Sequence, residues 1–162
     1  MPVLLLFLLI AAAAFYWHAR RSARTRDAAR TERRVTERLS DPREAAAILL
    51  VQQAAYEGHV GADQRSAILS LMTANFGVTG AEAEDLYAFA RMAVDQTGDA
   101  GNSLRRLLQP VRDRCTLAEM KDLAAMLVQV GETGGPMNDR QDRLVADVRR
   151  ALSLPARDQE SS

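Results

Sequence analysis

Cysteine occurs once in these 162 residues, histidine twice, and aromatic side chains make up only 5% of the chain. The lone Cys115 excludes an internal disulfide framework and suits a reducing compartment. It follows Leu104, Leu107, Leu108 and Val111 at helical spacing, which reads as a small packed thiol. Neither His18 nor His59 belongs to a His/Cys cluster with zinc spacing. So few aromatics offer no stacking platform, and nucleic acid is not an expected partner. Strand-like alternation is missing, as are a phosphate-cradling loop and a nucleophile–base constellation, so the chain reads as non-enzymatic. Charge, too, is missing from the side chains of Met1 to Trp17.

That uncharged start is the most informative stretch. Val3 to Phe15 is almost wholly Leu, Ile, Phe and Ala, and arginines come directly after it. Crossing about 30 Å of hydrocarbon takes roughly 17–25 helical residues. Residues 1–18 therefore read as a single N-terminal transmembrane helix at the short end of that range. Tyr16 and Trp17 fit an interfacial aromatic belt, and the arginines keep the rest of the chain on the cytoplasmic side of an inner membrane. A cleaved signal peptide is the rival reading, with Ala11 to Ala14 offering a cleavage site. Only the amino terminus is positive ahead of the apolar run, however, and the basic block behind it opposes export. A buried core helix fits less well, because twenty polar residues separate the segment from the rest.

The formal charge of zero conceals two opposed blocks. Residues 1–40 carry eight Arg (20, 21, 24, 26, 30, 33, 34 and 38) against Asp27, Glu32 and Glu37, a net of +5. Residues 41–162 carry a net of −5. The basic residues belong to a juxtamembrane stalk, residues 19–40, whose natural partner is anionic lipid headgroups, each basic residue contributing about 1 kcal/mol near such a surface.

The folded domain spans residues 41–154 and reads as helix throughout. Asp41-Pro42-Arg43-Glu44 supplies an N-cap, a proline at the first helical position and an acid at the third. Residues 42–56 come next, apolar on most sides. Ile68, Leu71, Met72 and Phe76 mark a second helix, which Gly77 stops. Thr79 with Glu82 and Thr116 with Glu119 are capping boxes. The first opens a helix with Leu86, Ala90, Ala93 and Val94 inward. The second leads into Leu117, Met120, Ala124, Leu127 and Val128, closed by Gly131. Between them, Leu104 to Val111 marks a helix that Pro110 must kink or divide. Asn138 opens the last helix, with Leu144, Val145, Val148, Ala151 and Leu152 on one face. Residues 155–162 form a polar tail, expected to be disordered.

The domain echoes itself at an offset of 77 residues. Leu49-Leu50-Val51 answers Met126-Leu127-Val128, Gly58 answers Gly135, Val60 answers Met137, and Gln64 answers Gln141. Ile68 and Leu71 answer Val145 and Val148. Helices apolar on most sides occupy the middle of a bundle, so residues 42–56 and 117–130 are expected at its centre. The whole reads as an all-α, compact bundle of about six to seven helices with pseudo-twofold halves.

With an apolar helix, a glycine turn and a second helix at both ends, the chain resembles the tellurite-resistance TerB-like family. That family includes the N-terminal domain of the membrane-anchored DjlA co-chaperones, which share the layout of a short anchor before such a domain. The resemblance implies a compact helical fold and a divalent-cation site, calcium for example, where acids of the two turns converge. The turns here read Glu57-Gly58-His59-Val60-Gly61-Ala62-Asp63-Gln64 and Gly134-Gly135-Pro136-Met137-Asn138-Asp139-Arg140-Gln141. Of the four positions where the resemblance implies acids only Glu57 holds one; Gln64, Gly134 and Gln141 take the others. Asp63, Glu132 and Asp139 are near enough in sequence to stand in, which makes Glu57, Asp63, Glu132 and Asp139 the candidate metal ligands. The alternative is capping, with Gln64 and Gln141 at N3 bonding back to Gly61 and Asn138. No His-Pro-Asp tripeptide is present, so co-chaperone activity does not carry over. The expected function is a membrane-tethered interaction module with a protein partner in envelope or metal stress, the alternative being a divalent-metal sensor.

Overall fold

Asp41 caps the first helix, as its sequence context predicts, while Leu39 ahead of it is already buried. Its Oδ1 accepts a hydrogen bond from the Arg43 main-chain N–H at 2.8 Å. Pro42 takes the first helical position, where a missing N–H costs nothing. The computed structural model describes residues 39–97 and 104–155. The expected anchor (1–18), the expected stalk as far as residue 38, residues 98–103, where the expected loop Thr97 to Gly101 mostly falls, and the expected tail from 156 lie outside the described residues. Among the described residues no helix is long and apolar enough to cross a membrane.

Those residues form helices and no strand: α1 (Pro42–Ala55), α2 (Ala62–Phe76), α3 (Gly80–Thr97), α4 (Leu104–Leu107), α5 (Gln109–Arg114), α6 (Leu117–Glu132) and α7 (Asp139–Ala151). Pro110 divides its region rather than kinking it. The chain turns at Leu108, and the proline sits in the first turn of α5, where no N–H is needed.

Helix α1 is buried at every position from Ala45 to Ala54. It packs most extensively on α3 and α6, and also touches α2 and α5. Ala45, Ala46 and Ala47 let neighbours approach closely, while Leu49, Leu50 and Val51 supply fully buried bulk. Helix α6 is less central than its apolar sequence suggests. Leu123, Ala124, Met126, Leu127 and Val130 face inward, but Lys121, Asp122, Ala125 and Gln129 are exposed. Leu117, an expected core residue, is 61% exposed. Polar residues recur along the outer side of α6 and hold that side in water, so it covers α1 instead of being covered.

Helix starts match the sequence closely. Glu82 accepts from the Thr79 N–H at 2.7 Å, and Glu119 accepts from the Thr116 N–H at the same distance. These main-chain donors, then the threonine hydroxyls, hold both carboxyls below the ordinary glutamate value. A carboxylate with a lowered folded pKa stabilises above the unfolded pKa, and that contribution is lost as pH falls through the folded one. Thr116→Ala is therefore expected to lower unfolding stability by about 1 kcal/mol at neutral pH. Glu119→Gln should destabilise at neutral pH and lose its effect progressively below pH 4.5. Urea unfolding across a pH series reads both.

Candidate functional site

The two glycine turns, one joining α1 to α2 and the other α6 to α7, are adjacent in space. A side chain on Gly134 would begin 4.0 Å from Glu57 Oε2. Gln64 stands at N3 of α2 and Gln141 at N3 of α7; Gln141 completes a capping box with Asn138, whereas Gln64 bonds back to Gly61, which has no side chain to reciprocate. Gln64 Oε1 accepts from the Gly61 N–H at 3.1 Å, and Gln141 Oε1 accepts from the Asn138 N–H at 2.9 Å. With each oxygen committed to a cap, each amide nitrogen points onward as a donor. Gln64 Nε2 donates to Glu57 Oε2 at 2.8 Å. Gln141 Nε2 donates to the Gln53 main-chain oxygen at 3.1 Å, tying the start of α7 to the end of α1. Asn138 adds a longer bond, 3.5 Å, to the Tyr56 carbonyl.

Two buried features beside this clasp escape the sequence. Gln53 is fully buried, and its Nε2 donates to Met137 Sδ at 3.4 Å. Gly131 does not close α6, which runs on to Glu132. A Cβ on Gly131 would lie 2.6 Å from both Gln53 Nε2 and Met137 Sδ. Glycine is needed there because the two side chains meet over its Cα. Both partners come from other elements, so no local pattern announces the requirement. Gln53 Oε1 and Gln52 Oε1 find no donor among the described residues, a desolvation cost on the order of 1–3 kcal/mol each.

The candidate metal ligands are distributed over separate helix ends. Glu57 is exposed and bonded to Gln64; Asp63 is exposed in the first turn of α2; Glu132 ends α6. Asp139 begins α7 with its side chain 94% exposed, 4.0 Å from Arg143. Among the described residues no three His, Cys, Asp or Glu side chains gather as a metal-holding group. The donor chemistry opposes calcium too, which takes six to eight oxygens. At this place the glutamines present N–H groups, their oxygens being held in caps, and the one carboxylate already accepts. The residues present do not fit a hard cation.

Cys115 lies half-buried in a groove of about 280 Å³ between the N-terminus of α1, the end of α2 and the first half of α6. Burial, then the charges of Glu119 and Asp41, push its thiol pKa up, so it stays protonated at neutral pH, as a packed thiol should. His59 is exposed in the first turn.

Gln141→Ala should remove the clasp and leave the Gln53 carbonyl and the Asn138 N–H without their partner, a loss of roughly 2–3 kcal/mol. Gly131→Ala should cost about 1–3 kcal/mol through overpacking. Chemical denaturation measures both; neutral results would remove the clasp from the account. Calorimetric titration with calcium should show no binding tighter than millimolar, and a micromolar site would overturn the donor argument.

The family model described as tellurite resistance protein TerB matches residues 43–161. No curated protein and no solved structure matches the chain. The match takes in the seven helices of the described residues, α1 from its second position, and both turns, and the helical fold of those residues agrees with it; the chain belongs to the TerB family.

Proposed function

We propose that this TerB domain is a non-enzymatic interaction module held at the cytoplasmic face of an inner membrane. Residues 1–18 serve as the anchor, and the stalk lies against anionic headgroups as far as Arg38, since Leu39 is buried in the bundle. The observation that carries the reading is the division of charge, +5 in residues 1–40 and −5 in the remainder, behind a run of seventeen residues without a charged side chain. An anionic leaflet attracts the basic block, at about 1 kcal/mol per residue near its surface. The same leaflet repels the acidic bundle, leaving its grooves open to a protein partner. Family membership adds a tellurite-resistance-like module, which supports a partner belonging to an envelope or metal stress response.

Fractionation of cells tests the address. The full chain should sediment with membranes and resist alkaline extraction, and a variant without residues 2–17 should move to the soluble fraction. Recovery of a shortened chain from the periplasm would overturn the proposal. Crosslinking in cells tests the role: a partner should be captured that depends on the helical bundle, and capture unaffected by loss of residues 41–154 would count against it.

A further inference from the structure

The chain enters the bundle at Leu39, which is buried, and two grooves of opposite charge flank the entry. The first is lined by Leu39 and Ser40 with Arg106 and Arg114 against Asp113. It repels an incoming arginine. The second, about 340 Å³, has a floor of Val78, Leu86 and Phe89 under a rim of Asp41, Glu44, Glu82 and Asp85. Its one cation among the described residues, Arg43, is already held by Asp41 through Nε and Nη2 at 2.7 to 3.2 Å. Glu82 caps α3 through Thr79. Among the described residues Glu44 and Asp85 have no ion-pair partner within 4.0 Å, and burial, then the charge of Asp41, raises the Glu44 pKa although Arg43 lowers it.

We propose that this acidic groove is the docking site of the chain's own arginine-rich segment, residues 20–38, with guanidinium groups on Glu44 and Asp85. Arginine suits the place, because its fork pairs with carboxylates while its alkyl stem covers apolar surface such as Val78 and Phe89. Arg26, Arg30, Arg34 and Arg38 recur at intervals of four, and Asp27, Glu32 and Glu37 fall outside that register. Reach is sufficient. Arg34 precedes the rim residue Asp41 by seven positions, and an extended chain covers at most about 3.3–3.6 Å per residue. Exposed ion pairs are individually weak, so the docked state is salt-sensitive. The anionic lipid surface is a competing destination for the same arginines. The inference goes beyond the tethering proposal and does not depend on it.

The test uses the full chain in zwitterionic detergent micelles at low salt, where no anionic lipid competes. Trypsin cleavage after Arg20 to Arg38, read by mass spectrometry, should run roughly fivefold slower than in the Glu44→Gln/Asp85→Asn variant, since cleavage tracks the undocked population. High salt should abolish the difference. Circular dichroism checks that the variant is folded. Independently, in a Cys115→Ser background, Arg34→Cys should crosslink within one chain to Phe89→Cys and not to Asp113→Cys in the basic groove. Equal cleavage rates in parent and variant, or crosslinking to Asp113→Cys as readily, would overturn the proposal. So would crosslinks formed only between two chains, or protection that arises only when anionic lipid is added.

Discussion

A helix with no solvent face cannot give its terminal carbonyls to water, and α1 has none between Ala45 and Ala54. Donors for its last turn must come from the chain itself. Gln141 and Asn138 supply them from the start of α7, which fixes where α7 docks. With α7 placed, the turn before it brings Met137 onto Gln53 and presses both over Gly131. Much of the second half of the domain is thus arranged by the demand for polar partners at one end of one buried helix.

The same demand accounts for Gln141, where the family resemblance implies an acid, while Gln64 donates instead to the Glu57 carboxylate. A glutamine at N3 can accept with its oxygen and donate with its nitrogen at once. A carboxylate at that position would accept twice and face the Gln53 carbonyl with repulsion. In this chain the two turns are joined by hydrogen bonds that need no ion between them.

Local features were the legible ones. Asp41-Pro42, Thr79 with Glu82, Thr116 with Glu119 and Asn138 with Gln141 each declare a helix start within four residues, and each stands where the sequence puts it. The continuous apolar run of α1 likewise gave its burial correctly. Features requiring a distant partner stayed hidden. Gly131 looks like a helix terminator until residues 53 and 137 are seen against it. Leu117 fits an apolar face by spacing, yet that face reaches past its neighbours in the first turn of α6. The acidic groove draws its floor from α3 and from Val78 just before it, and its rim from α3, α1 and the Asp41 cap, and no contiguous stretch of sequence contains it.

The order of synthesis gives the clasp a further consequence. The most deeply buried helix among the described residues leaves the ribosome ahead of the others, while the side chain that satisfies its end sits 88 positions later. At typical elongation rates that interval is on the order of 5–20 s. Throughout it, the nascent α1 presents surface that its own neighbours have yet to cover. A truncation before residue 141 would leave α1 packed on α3 but its Gln53 carbonyl sealed away from water without a donor.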